Sequence, residues 1–322
     1  MAQAATQSTP TLTLKSPAAN VRVRTPWQDA WRRLLRNRAA VAALAIIILY
    51  GIVAIGAPFI APYDYAAQDL AHTTQGPSAQ HWMGTDQLGR DVFTRLIYGA
   101  RVSFAVAVGA QVIIICIGLP LGLMAGYFGG TIDTVITRVI DILYAFPNLL
   151  LTILIISSLR ANLSAVVKDS NPIMTQIDKS TGGLIAVFIV MALTYWIGVA
   201  RIVRGQVLTL KEREYVSAAR GLGVKSPRIL RNHLLPNVLA PIIVACAFGI
   251  PGAIMLEASL SYLGLGIQPP LPSWGGMISE GLPVMRSYPH LIVFPGLALS
   301  LLLLAFTFLG DGLRDALDPL MW

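Results

Sequence analysis

The stretch VSFAVAVGAQVIIICIGLPLGLMAGYF, residues 102–128, contains no Asp, Glu, Lys or Arg. As a helix it would rise about 40 Å, more than the roughly 30 Å of hydrocarbon in a bilayer. A charge at mid-span costs about 2.5–3.5 kcal/mol on insertion scales, so a gap of this length implies a membrane crossing. Five further stretches share the property, at about 39–60, 142–159, 182–200, 238–256 and 291–309. The expected fold is an all-α polytopic membrane protein with six transmembrane helices. Composition agrees, since 55% of the 322 residues are hydrophobic, 12% are charged and the mean hydropathy is +0.66. Gly109, Gly118, Gly122 and Ala125 would let a neighbouring helix approach the second span closely.

The formal net charge is +8, and its distribution orients the chain. Segments 1–38, 129–141, 201–237 and 310–322 hold 17 of the 24 Lys and Arg residues, while 61–101, 160–181 and 257–290 hold the other 7. The positive-inside rule then puts both termini in the cytoplasm. The first span is too long for a signal-peptide core and follows about 38 polar and basic residues. Residues 1–20 read as a disordered tail. Trp27, Trp31, Arg32, Arg33, Arg36 and Arg38 suit an interfacial helix within the cytoplasmic segment 1–38. The expected organisation continues with a first span at 39–60 and an extracytoplasmic loop at 61–101. A five-helix core at 102–310 contains a cytoplasmic loop at 201–237, and a tail follows at 311–322.

That loop holds AARGLGVKSPRILRNHLLPN, residues 218–237. A first helix is expected over about 211–222, with Glu212 and Glu214 in its opening turn and Arg220 near its end, both favourable to the helix dipole. Gly221 and Gly223 can supply a left-handed stop. Ser226 should cap a second helix, with Pro227 at its first position, running to Leu235 before Pro236. The shape resembles a DNA-reading helix-turn-helix, but about 37 residues tethered at both ends beside a bilayer cannot build a free domain or reach a major groove. Val224 stands before Lys225 where a phosphate-binding loop needs Gly, and no strand precedes it.

The remaining reading is a helix pair that docks into a partner's groove. Glu214, Ala218, Ala219, Gly223, Leu235 and Pro236, with Arg220 and Gly221 between them, resemble the EAA loop of ABC importer permeases. Two positions depart from that pattern, Ser217 directly before the Ala pair and His233 near its end. MGTDQLGRDVFTRLIYGARVS (83–103), LSYLGLGIQPPLPSWGGM (260–277) and FPGLALSLLLLAFTFLGDGLRDALDP (294–319) are similar to segments of the smaller, C-type permease of the dipeptide and oligopeptide branch. The resemblance covers about 26–319. It implies a type I importer permease and a transporter subunit that is not itself an enzyme. A homologous second permease, two ATP-binding cassette subunits holding ATP and Mg, and an extracytoplasmic solute-binding protein would complete the complex. No cofactor is expected in this chain.

At the outer side, Asp86 is expected to cap the turn before a helix in which Val92, Phe93, Leu96 and Ile97 form an apolar face beside Arg90, Asp91 and Arg95. That helix reads either as interfacial or as a gate or receptor contact. Trp274 reads as an interfacial anchor or a substrate contact. Glu257, at the outer end of the fifth span, could face the path or simply end a helix. Arg138 and Asp141 are spaced for a local pair. The four histidines do not cluster as metal ligands, and Cys116 and Cys246 lie in apolar runs. No Gly-x-Ser-x-Gly motif supports a membrane protease. Two other functions compete: a stand-alone channel or secondary carrier, and a membrane-tethered DNA-binding regulator.

Overall fold

The computed structural model describes residues 26–170 and 182–318, so the tail expected over residues 1–20 lies outside the described residues. The described chain is helical throughout its ordered elements. In chain order these are α1 (Pro26–Arg36), α2 (Arg38–Ile60), α3 (Val92–Phe128), α4 (Gly130–Tyr144), α5 (Asn148–Ser170), α6 (Leu184–Thr194) and α7 (Trp196–Leu210). They continue with α8 (Glu214–Gly221), α9 (Ser226–Ile229), α10 (Leu235–Tyr262), α11 (Trp274–Gly281) and α12 (His290–Leu317).

Among the described residues, five helical spans are long and apolar enough to cross a membrane: α2, α3, α6 with α7, α9 through α10, and α12. α4 and the first part of α5 pass the same test of length and composition only when taken together, and they bend by 91° at the Ala145–Pro147 break, the geometry of a broken span or of a re-entrant loop. Where a third span at 142–159 with a short loop before it is expected, helix instead covers 130–144, and the break at 145–147 falls inside the expected span. Residues 129–141 belong mostly to α4, whose Asp133 and Asp141 bond Arg204 and Arg201 of α7 at 2.5 and 3.3 Å. A search for charge-free gaps cannot find a helix whose charges are matched across a neighbour. Asp141 pairs with Arg201, and not with Arg138 as its spacing had indicated.

α3 begins at Val92, so the expected interfacial helix and second span form a single 37-residue helix. Asp91 caps it, accepting from the Thr94 N–H at 2.7 Å. Down its length, Gly118, Gly122 and Gly126 lie against α7. A Cβ on Gly118 or Gly122 would stand 2.6 Å from the carbonyl oxygen of Trp196 or Ala200. The four-residue repeat of small side chains therefore lets two backbones touch, the packing device available where lipid removes the hydrophobic drive. Gly109 instead meets the Phe188 ring of α6.

The larger core cluster joins Val106, Ala110 and Ile114 of α3 to Val190, Val203, Ile242 and Leu256. A second cluster ties Ala107, Ile254, Trp274, Leu302 and Phe306 together. The amphipathic α1 buries Ala30 and Leu34 with Ala40 and Ala316, and leaves Trp27 and Trp31 half exposed. The bundle thus has a basic end, carrying α1, α8 and the end of α12, and an opposite end carrying α11 and the α2–α3 connection.

Candidate functional site: the protruding helix and the opposite-end charge cluster

At the basic end α8 is shorter than its sequence indicates. It starts at Glu214, with Glu212 and Arg213 in the preceding turn, and ends at Gly221. Its inner face is apolar: Val216 is fully buried and Ala219 nearly so, both within the main core cluster. Its outer face carries Glu214, Ala218, Arg220 and Gly221, and Leu222 follows at 85% exposure. Of the adjacent alanines, therefore, only Ala218 faces out. The Arg220 guanidinium lies 5.1 Å from the Tyr127 ring centroid, a geometry suited to cation–π attraction.

The stop is a Schellman motif centred on Gly223, where φ is +75°. The Gly223 N–H donates to the Arg220 carbonyl at 2.9 Å and the Val224 N–H to the Ala219 carbonyl at 3.1 Å. Gly221 remains helical and supplies no left-handed residue. The next helix opens at Ser226 with Lys225 in the cap position, so Ser226 does not cap it. The Ser226 hydroxyl instead lies 3.3 Å from the Tyr127 hydroxyl, which donates to it. Nor does that helix stop before Pro236. It passes through a single wide turn, Leu230–Leu234, directly into α10. A proline in the first turn of a helix lacks only a donor that has no partner there, so Pro236 is accommodated. Leu235 is half buried at the root of α10 and Pro236 is exposed, so neither lies on the protruding helix.

At the opposite end, Asp86, Arg90 and Arg95 are buried together with partly exposed Glu280. Arg90 Nε donates to Asp86 Oδ2 at 2.7 Å, and its Nη2 donates to Glu280 Oε2 at 2.8 Å. Arg95 Nη1 bonds both Asp86 and Glu280. Two cations face two anions, so the cluster is close to neutral. Asp86 caps the turn before the helix, as expected, accepting from the N–H groups of Leu88 and Arg90, each at 2.9 Å. Asp91, also taking a 2.9 Å bond from His81, holds the cap. Sequence reasoning missed Glu280, which lies 185 residues from Arg95 and shares no local pattern with it. The cluster borders a cleft of about 490 Å³ that Gln87, Pro269 and Pro270 help to line.

Trp274 and Glu257 are corrected in placement. Trp274 is 1% exposed, donates from Nε1 to the Leu96 carbonyl at 3.0 Å and meets Tyr50 edge-on at 5.8 Å. It is an internal strut of α11 against α3. Glu257 is also 1% exposed, so it faces no open path. The Ser261 hydroxyl donates to Glu257 Oε1 at 2.6 Å and accepts from the Ile267 N–H at 3.0 Å, which fastens the 263–273 connection to α10. Among the described residues no group of three or more His, Cys, Asp or Glu is placed to hold a metal ion.

Residues 118–322 match the family described as binding-protein-dependent transport system inner membrane component, and residues 25–77 match the N-terminal transmembrane domain of oligopeptide transport permease C. The chain is 44% identical over 293 residues to the dipeptide transport system permease protein DppC of Bacillus subtilis, covering 91% of this chain and 85% of that one. It is 43% identical over 293 residues to the oligopeptide permease OppC of the same organism, covering 91% and 89%. It is 41% identical over 298 residues to the glutathione permease GsiD of Pectobacterium atrosepticum, covering 92% of each. In fold it is similar to a solved structure of the MetNI methionine ABC transporter, with a TM-score of 0.53 at 19% identity over 70% of this chain and 97% of that one. These relationships leave no room for a stand-alone carrier or a tethered DNA regulator. They make the chain a multi-pass inner-membrane permease subunit that works with partner subunits and is not their ATPase. The chain belongs to the binding-protein-dependent transport system inner membrane component family, among the peptide ABC transporter permeases of the OppC and DppC type.

Proposed function

We propose that this chain forms half of the translocation pathway of an ATP-driven importer for peptides or related small solutes. A homologous second permease supplies the other half, two ATP-binding cassette subunits bind ATP and Mg, and an extracytoplasmic receptor delivers the cargo. Both termini and α8 face the cytoplasm. The observation that carries this reading is the two-sided build of α8. Val216 and Ala219 root it in the bundle core, while Glu214, Ala218 and Leu222 stand free at its surface.

Such a helix works as a rigid lever. Movement imposed on its outer face by an ATPase groove reaches α3 and α10 through packed side chains and is not absorbed by a flexible loop. Coupling of this kind requires ATP to favour one arrangement of the bundle, and a tenfold preference corresponds to about 1.4 kcal/mol. The names of the relatives support dipeptides, oligopeptides and glutathione as the cargo classes to try first.

The test is reconstitution of the chain with its operon's second permease, ATPases and receptor in liposomes, followed by uptake of labelled dipeptide, oligopeptide and glutathione. Uptake should require ATP inside right-side-out vesicles and the receptor outside. Uptake by this chain alone, without ATPases, would sink the reading.

A further inference from the structure

Ahead of the first span, α1 presents two strips to the surface. Trp27, Trp31 and Leu35 recur every fourth residue and are 51%, 54% and 50% exposed. Arg32 and Arg36 form the next strip, one residue further round the helix, and both are exposed. The far side is fixed to protein, since Ala30 and Leu34 are buried with Ala40 and Ala316. A Cβ on Gly312 of α12 would stand 2.4 Å from the Ala40 Cβ and 3.2 Å from Leu34 Cδ1, so α1, α2 and α12 meet there without slack. Asn37 separates α1 from α2. Its backbone is extended, and its side chain accepts from the N–H groups of Ala39 and Ala40 at 3.1 and 3.2 Å.

The depth of α1 follows from the helix it precedes. No charged residue stands between Ala39 and Ile60, so Arg38 marks the edge of the hydrocarbon layer. α2 lies at the rim of the bundle, with Ile48, Leu49, Ile52 and Ile55 all exposed, and α1 is seated at its inner end. A chain that crosses the membrane several times gains no needed anchorage from a further 11-residue helix at the surface. The charge of α1 supplies another role. Arg32, Arg33, Arg36 and Arg38 stand against the single acid Asp29. Guanidinium groups bond phosphate oxygens through paired donors, and a basic helix at headgroup level collects lipids that carry net negative charge. Indole rings beside it settle at the same interface.

We propose that α1 is a docking surface for anionic phospholipid headgroups, with Arg32 and Arg36 on the phosphates and Trp27, Trp31 and Leu35 at the top of the acyl chains. Because α1 is packed on α2 and α12, the headgroup charge of that leaflet bears on how both helices are seated. The surface belongs to this chain alone, and its lipid contact goes beyond the importer reading.

The test places the purified full-length chain, with the subunits that copurify with it, in nanodiscs. A bimane on Leu35→Cys, in a chain lacking Cys116 and Cys246, reports lipid contact through quenching by brominated lipids, corrected for the same chain without the new thiol. Dibromo-phosphatidylglycerol should quench it about threefold more than dibromo-phosphatidylcholine at equal mole fraction. Arg32→Gln combined with Arg36→Gln should bring the two lipids to parity at an unchanged thermal midpoint, and millimolar inorganic phosphate should leave the parent's preference intact. Equal quenching by the two lipids in the parent overturns the proposal, as does a preference that survives the loss of both arginines. Absence of quenching by either lipid overturns it by placing the strip in water or under another subunit. Loss of the preference in phosphate overturns it by making the arginines a site for the free anion.

Discussion

Arg204 grips Asp133 with two parallel bonds, Nε to Oδ1 at 2.5 Å and Nη2 to Oδ2 at 2.7 Å, and so ties α7 to the first turn of α4. Both side chains are largely shielded, at 33% and 20% exposure. A fork of this geometry is stronger than a surface pair. Asp133→Ala and Arg204→Ala should each lower the thermal midpoint of the purified complex. The double replacement should cost less than the two added together, with a coupling of about 1–2 kcal/mol. Strict additivity in a denaturation series would show that the bond does not hold the two helices.

At Gly223 the constraint is the backbone. Its φ of +75° is one that side chains resist, yet a Cβ there would meet nothing within 4 Å. Forcing a non-glycine residue into that region costs about 1–2 kcal/mol, and Asn tolerates it best. Uptake and ATPase stimulation should therefore fall in the order Gly223→Asn, Gly223→Ala, Gly223→Val, with the Asn variant nearest to wild type. Equal damage by Asn and Val would instead mean that side-chain bulk blocks a partner at this point.

Leu222 and Val216 separate docking from folding on the same short helix. Leu222 is 85% exposed and Val216 is fully buried. If Leu222 becomes buried in an ATPase subunit, its removal forfeits about 1.5–3 kcal/mol, a loss of one to two orders of magnitude in affinity. Leu222→Ser should leave the melting of the isolated permease unchanged and weaken ATPase copurification. Val216→Ser should destabilise the permease itself. Normal assembly of the Leu222 variant would argue against α8 as the contact.

Gly99 and Trp274 should compensate each other. A Cβ on Gly99 would stand 2.6 Å from Trp274 Cδ1, too close to be accommodated without a shift. Gly99→Ala should cost about 1–3 kcal/mol as overpacking. Trp274→Phe removes the clashing edge, so the double variant should melt above Gly99→Ala alone. If the double variant melts lower, the strut is held by something other than this contact.

The broken third span shows where reading along the chain stopped working. Its charges, Asp133 and Asp141, look like loop residues in isolation and become helix residues only beside Arg204 and Arg201. The Gly223 stop was legible because a left-handed turn after a short helix has a local chemistry of its own. The run from Ser226 through Leu235 into α10 was not, because Pro236 marks a boundary by local rules but fits the first turn of a helix that tertiary packing extends.

The sequence by itself determined that the chain crosses a membrane as helices, that its second span carries small residues a neighbour can approach, and which family it belongs to. Those properties follow from charge-free length, small residues at fixed spacing and short motifs, all of which are local. Only the tertiary structure decided that Trp274 and Glu257 are buried, that Glu280 completes the Arg90 and Arg95 cluster, and that the Gln111 amide nitrogen is buried without a partner. Each of these depends on which side chain another helix brings alongside, and residues nearly two hundred positions apart share no periodicity that could announce it.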